Sequence, residues 1–260
     1  MKKEIISILF VTVIIAFVAC KPVAPTLFDQ PDAVYFNAAA DSMAYTFAKY
    51  PSRTVDTIKI PVNVLGSPVA IDRELLLQSL SGDDVNAKEG VHFKLLPPYK
   101  MPANKVSTTV PVVVYRTGDL DSISAIFKLG LKENSSFTLG ITAKASIKIK
   151  TGFLQKPTTW GEFGGSQWAG YSGNMGTWTK TKYKLILEAL YDKASDTTVT
   201  EFPYLRIGSP AIYIQYLQLT KNYIRTKYPG NYSTPVLGVG ATLRDPDAGN
   251  QVIQVGPANY

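Results

Sequence analysis

Lys105-Val106-Ser107-Thr108-Thr109-Val110-Pro111-Val112-Val113-Val114-Tyr115 is the stretch that decides the fold. Val and Thr dominate it. Two heavy atoms on Cβ make such residues stiff at χ1, so they suit a pleated surface better than a helix. Thr117-Gly118-Asp119 supplies the turn that ends it. Downstream, Ser122 to Leu131 alternates, with Ile123, Ala125, Phe127, Leu129 and Leu131 on one face, and Phe137 to Lys150 closes the set. Upstream, Val55 to Leu65 sets Val55, Ile58, Ile60, Val62 and Val64 against Asp56, Lys59 and Asn63, and Pro61 within it predicts an edge or a bulge. Val34-Tyr35-Phe36 forms a short strand. Arg73 to Leu80 fits either a strand or one helical turn. Gly66-Ser67-Pro68, Ser81-Gly82-Asp83-Asp84, Pro97-Pro98 and Glu133-Asn134-Ser135 punctuate the rest. Short period-two segments between regular turns predict a mainly β protein with a β-sandwich over residues 32–150.

The pattern changes after residue 150. Residues 151–180 hold a Gly-rich aromatic loop: Thr159 to Trp178 carries six glycines with Trp160, Phe163, Trp168, Tyr171 and Trp178. Residues 181–260 predict a smaller β-rich C-terminal lobe with one α-helix. Tyr183 to Ala189 alternates as a strand, and Thr197 to Ile207 gives another. Ser209-Pro210 is a helix start signal. Ile212, Tyr216, Leu219 and Tyr223 then fall on one helical face, Lys221, Arg225 and Lys227 sit near its end, and Pro229-Gly230 stops a helix of about 209–227; Ile212 to Leu219 also fits a strand.

The N-terminus has the layout of a signal peptide over residues 1–19: Lys2 and Lys3, then an apolar run from Ile5 to Val18 that is short for a membrane span. It ends in Phe17-Val18-Ala19-Cys20, and Cys20 is the single cysteine. A small residue before Cys at the end of an apolar run resembles the lipobox of bacterial lipoproteins. The resemblance implies a lipid on Cys20 and an outer-membrane anchor, with the cell-surface or periplasmic face left open. Residues 20–31, with three prolines, then read as a tether. A mature body without cysteine has no disulfide, no thiolate nucleophile and no Cys-based metal site. The formal net charge of +7 is scattered. Lys144, Lys148 and Lys150, then Lys180, Lys182 and Lys184, alternate with apolar or small residues as on the solvent side of a strand. Nucleic acid is not an expected partner of an exported protein.

Ala87-Lys88-Glu89-Gly90-Val91-His92-Phe93 resembles the Ala-x-x-Gly-x-Asp-Tyr signature of Calx-beta domains, which implies an immunoglobulin-like sandwich. His92 stands where the signature has its acid, and Arg116-Thr117-Gly118-Asp119 where an acidic pair belongs, so calcium binding is not carried over. Over most of the mature chain the sequence is similar to a family of Bacteroidetes lipoproteins, a domain of unknown function from glycan-utilisation loci. The shared features are the Val-Tyr-Phe strand, Asp72-Arg73, Ala87 to Phe93, Val110 to Thr117, and Trp160 followed by Gly176-Thr177-Trp178-Thr179-Lys180-Thr181-Lys182-Tyr183. This resemblance implies a neighbourhood of outer-membrane transporters and glycan-binding lipoproteins and no particular activity.

Chemistry-bearing residues are sparse. His92 is the single histidine, so a Ser-His-Asp arrangement would have to use it, and its place in Gly-x-His-Phe predicts local hydrogen bonds instead. Asp83-Asp84 and Asp119-x-Asp121 lie in turns, where Asp is common. Asp245-Pro246-Asp247-Ala248-Gly249-Asn250 lacks the terminal Glu and spacing of a calcium loop. No catalytic residue, metal or cofactor is expected. Trp160, Trp168, Tyr171 and Trp178 are the candidate ligand-binding residues, because a flat ring stacks on the C–H face of a sugar while polar neighbours bond its hydroxyls. The expectation is a non-enzymatic accessory lipoprotein of a glycan-uptake system. The alternatives are a structural partner of a TonB-dependent transporter complex without its own ligand and, more remotely, a glycan-active hydrolase.

Overall fold

Val110, Val112 and Val114 point inward from the strand that opened the sequence reading, and their neighbours Pro111 and Val113 face partly outward. The period-two pattern is therefore the pattern of burial. The computed structural model describes residues 31–157, 160, 175–200 and 211–256, with the side chains of 211 and 213 excepted. Among them, ten strands form two five-stranded sheets. In chain order the strands are β1 (Ala33–Phe36), β2 (Ser42–Thr46), β3 (Val55–Leu65), β4 (Arg73–Leu80), β5 (Phe93–Leu95), β6 (Tyr99–Met101), β7 (Ser107–Tyr115), β8 (Ala125–Lys132), β9 (Thr138–Leu139) and β10 (Ser146–Gly152). One sheet runs β5-β7-β3-β1-β9 and the other β2-β10-β8-β4-β6. Pairings are antiparallel except β1 with β9 and β10 with β2. The first strand is thus split: β1 serves one sheet and β2 the other.

Ile60, Val62, Val110, Val112 and Val114 of the first sheet face Phe127, Leu129, Ile147 and Ile149 of the second, all almost fully buried. The rings of Phe93 and Phe127 stack across the gap with centroids 4.0 Å apart. Arg73 to Leu80 is a strand. Lys148 and Lys150 take the outward positions beside buried Ile147 and Ile149, as alternation predicts.

Pro61 departs from expectation. It lies in β3, a central strand, paired with Thr109 of β7. Its carbonyl accepts from the Asn37 amide, 2.9 Å away, on the β1 side. The missing N–H therefore falls where β1 has already ended at Phe36, and no ladder bond to β7 is lost. Ile123 also departs: it is 46% exposed and precedes β8, while Ala125, Phe127, Leu129 and Leu131 are buried as expected.

The C-terminal part holds the larger correction. Tyr183 to Ala189 is helix α1 (Lys180–Ala189), not a strand. Tyr183, Leu185 and Leu187 satisfy period two, but Tyr183, Ile186, Leu187 and Leu190 also satisfy the helical spacing of three, four and seven, and all five of these residues are buried. The cap decides: Thr179 has extended backbone and its Oγ1 accepts from the Lys182 amide at 3.1 Å. Lys180, Lys182 and Lys184 consequently lie on a helix. Of Thr197 to Ile207, Thr197 forms a single bridge with Asp192, Thr198 to Thr200 are not in a strand, and the remainder lies outside the described residues.

Helix α2 (Ala211–Lys227) covers the predicted helix, whose Ser209-Pro210 start lies outside the described residues. Its buried face is not the predicted one. Ile212 and Leu219 are 43% and 44% exposed, whereas Leu217, Thr220, Lys221 and Ile224 are buried. Lys221 lays its stem in the core and sets its ammonium 5.5 Å from the centre of the Tyr232 ring. The C-terminal tail forms a small hairpin, β11 (Arg244–Asp245) with β12 (Gln251–Val252). Asp32 to Tyr260 is one compact unit. No described helix is long and apolar enough to cross a membrane.

Candidate functional site

Trp160 is 2% exposed, its indole N–H donates to the Gly176 carbonyl at 3.1 Å, and its ring meets Tyr183 edge-on. Trp178 is half-buried and tilted against the same Tyr183, and its indole nitrogen has no hydrogen-bond partner among the described residues. These two tryptophans clamp Tyr183 and so fix the start of α1. Gly176 belongs to this clamp: its φ of +75° is a left-handed conformation. Trp160 is therefore a packing residue and not an exposed platform for a sugar ring. Trp168, Tyr171 and Cys20 lie outside the described residues.

His92 fulfils the expectation of local bonding. Its Nδ1 accepts from the Lys88 amide at 2.9 Å, and its Nε2 lies 3.0 Å from the Asp119 carboxylate. Both ring nitrogens are committed, which leaves neither for a serine. Gly90, at φ +82°, makes the turn that lets this loop close. Asp84 pairs with Lys148 on the outer face of the second sheet. Asp245 and Asp247 cap a helix: Asp245 is buried and accepts from the Thr179 hydroxyl at 2.6 Å, and Asp247 accepts from the Thr181 amide at 3.3 Å. Two carboxylates thus sit at the positive end of α1. Among the described residues no group of three or more His, Cys, Asp or Glu could hold a metal ion.

The structure instead assembles a cleft that sequence reasoning missed. One end of the sandwich carries the turn before β3 and the exits of β7 and β10, and α1 and α2 flank it. Ser52 donates to Asp196 at 2.5 Å, the Thr198 amide donates to the Lys49 carbonyl at 3.0 Å, and Lys180 donates to Ser122 at 3.1 Å, so the lobe is fastened to this end. Between them lies a cavity of about 510 Å³, whose walls include Arg116, Phe153, Lys184, Tyr191, Tyr223 and Lys227. Arg116 stacks over Phe153, 3.4 Å from its ring centre, and donates to the Pro51 carbonyl at 2.7 Å. Burial pulls its guanidinium below the ordinary value. Arg116 and Lys184 make no ion pair among the described residues. Lys227, Tyr223 and Glu188 form a triad, with Lys227 2.8 Å from the tyrosine oxygen and 3.2 Å from the carboxylate. The bond to Tyr223 holds the Lys227 ammonium above its ordinary value. Lys184 and Glu188, one helical turn apart, also line a second cleft of about 430 Å³ on the other flank of α1.

This arrangement offers flat rings, fixed donors and one fixed acceptor, with three cations against one carboxylate. Among the described residues that line it there is no pair of facing carboxylates. Sequence reading had placed Tyr223 on a helix face and Lys227 at a helix end. Nothing in the local pattern could reveal that residues 51, 116, 153, 184 and 223 converge.

Solved structures are similar to part of the chain. One is a candidate carbohydrate binding protein from Bacteroides ovatus, 12% identical over 46% of this chain and 36% of that one, with a TM-score of 0.35. Another is a two-domain protein of unknown function from Bacteroides fragilis, 14% identical over 47% and 46%, TM-score 0.36. A third is the E. coli chaperone DraB, 14% identical over 46% and 57%, TM-score 0.29. The chain spans less than two thirds of the length of each. No curated protein matches it. Residues 28–191, more than half of the sequence, match a family described as a domain of unknown function (DUF4843), and the chain belongs to that family.

Proposed function

We propose that this protein is a non-enzymatic, lipid-anchored accessory component of an outer-membrane glycan-uptake system, and that it binds glycan in the cleft between the sandwich end and α1. The single observation that carries this reading is the convergence of Tyr191 and Tyr223 with Arg116 and Lys184, which make no ion pair among the described residues, around one cavity. Concave sites with aromatic walls and a few fixed polar groups are the general form of small-ligand sites. Tyrosine rings offer a face to sugar C–H groups, and the cations and the Glu188 carboxylate bond hydroxyl, carboxyl or sulfate groups. The lipobox-like run ending at Cys20 supports the anchor. Affinity electrophoresis through gels cast with neutral or acidic polysaccharides tests the proposal. Wild-type protein is retarded by at least one polymer, and Tyr223→Ala with Arg116→Ala migrates as in an empty gel. Equal migration of wild type and double variant in every gel refutes glycan binding at this cleft.

One observation favours a second reading, a structural partner of a TonB-dependent transporter complex without its own ligand. Val236, Leu237 and Val239 are 61%, 50% and 65% exposed in one short segment. Solubilisation of native membranes in mild detergent separates the readings: recovery of the protein alone removes the second.

A further inference from the structure

The sandwich end opposite the cleft has a different surface. The chain enters the compact unit here, since Asp32 precedes β1 and Ala33 pairs with Leu65 at the last position of β3. The loop that follows, Leu65-Gly66-Ser67-Pro68-Val69-Ala70-Ile71, contains no charged residue and is exposed throughout. Leu65, Val69 and Ile71 are 38%, 37% and 64% exposed, and Val106 on the adjoining turn is 37% exposed. The two turns are tied together: the Asn104 amide donates to the Val69 carbonyl at 2.7 Å, and the Ala103 amide donates to Asp72 at 2.8 Å. The charges around them are neutralised in pairs. Asp32 pairs with buried Arg73, whose guanidinium also covers the Phe137 ring, and Asp72 pairs with Lys100 at 2.6 Å. Exposed Lys105 is left as a cation without an ion-pair partner among the described residues.

We propose that this end, through Leu65, Val69, Ile71 and Val106, docks on the surface of the lipid bilayer. The proposal rests on the reading of Cys20 as the lipidated residue. Eleven residues separate Cys20 from Asp32, and such a chain spans at most about 40 Å when extended. The covalent path from the lipid therefore joins the compact unit at this end. A tethered surface meets its partner at high effective concentration, so a few apolar side chains are enough to settle it. Exposed aliphatic tips partition into the headgroup and acyl boundary, paired charges add little cost there, and Lys105 complements anionic headgroups. The cleft then points away from the bilayer, towards polymer in the aqueous phase.

The test places an environment-sensitive fluorophore at Ile71→Cys, and in a second protein at Lys193→Cys beside the cleft. Each full-length lipidated protein is reconstituted in vesicles of phosphatidylethanolamine and phosphatidylglycerol that carry shallow doxyl-lipid quenchers; the native thiol at Cys20 is blocked by its lipid. A blue shift and loss of emission at position 71, with neither at position 193, support the docking. Equal, water-like emission at both positions in protein that remains on the vesicles overturns the docking and leaves the anchor standing. Recovery of protein in the soluble fraction with a free Cys20 thiol overturns the anchor and the docking together.

Discussion

The two ends of the sandwich are built from the same strands and carry opposite chemistry. At the end where the chain enters, the β3–β4 loop is uncharged and its neighbours are locked into the Asp32–Arg73 and Asp72–Lys100 pairs. At the other end Arg116 and Lys184 make no ion pair among the described residues, tyrosines replace aliphatics, and a helical lobe turns a rim of loops into a cleft. Loops tolerate such divergence because the strands beneath them carry the fold, whose core residues are almost wholly buried. The lesson is that a scaffold's function is read from what its ends leave unsatisfied. A paired charge is structural, and an unpaired one beside a cavity is available to a ligand.

The largest effect is expected at the entering end. Arg73 is 7% exposed and Asp32 keeps 24% of its side chain in solvent. Arg73→Ala strands the carboxylate and removes the cover from Phe137, at a cost of about 3 kcal/mol, the low end for a broken buried pair. Urea unfolding measures this loss, and glycan affinity should be unchanged because distant sites act independently. A loss of affinity as large as the loss of stability would break the separation of the two ends. Trp160→Phe removes the bond to Gly176 and part of a buried ring, with an expected cost of about 1–2 kcal/mol in the same assay. Sugar affinity should follow the integrity of α1 and not the indole itself, so a stable Trp160→Phe protein that lost all binding would restore the tryptophan as a ligand contact. Arg116→Ala is expected to weaken glycan binding about tenfold, equivalent to roughly 1.4 kcal/mol, in a calorimetric titration, and to lower stability by about 1 kcal/mol through the lost bond to Pro51.

The smallest effect concerns acid. Burial by itself would raise the Asp56 carboxyl, but bonds from the Tyr45 hydroxyl, the Thr57 amide and Arg53 hold it below its ordinary value. A carboxylate depressed in the folded state stabilises above its unfolded value, about 3.9, and that contribution disappears as pH falls below it. The urea midpoint of the wild type should therefore decline below about pH 4, and Asp56→Asn should decline less steeply.

The sandwich was legible because each strand buries one face, and alternation reports burial directly. Val110 to Val114 and Phe127 to Leu131 are examples. Pro61 misled because sequence shows a missing donor without showing which neighbouring strand stops beside it. Tyr183 to Leu190 obeys two periods at once, and only the Thr179 cap separates them. In α2 a buried lysine at 221 interrupted the apolar stripe and turned the inferred face away from the true one. The cleft was illegible for a different reason. Its residues come from five separate segments, and their meaning lies in converging on one cavity, which a sequence does not display. Of the aromatic loop, Trp160 is buried, Trp178 is half-buried against Tyr183, and Trp168 and Tyr171 fall outside the described residues.

Hydrogen–deuterium exchange of the lipidated protein in vesicles, with and without a bound polysaccharide, tests the division of labour most directly. The account predicts that the membrane slows exchange at 65–72 and 102–106 whether or not glycan is present, and that glycan slows it at 51–53, 116–118, 184–191 and 223–227. Glycan protection centred on 65–72, or protection by the membrane at the cleft, would contradict it.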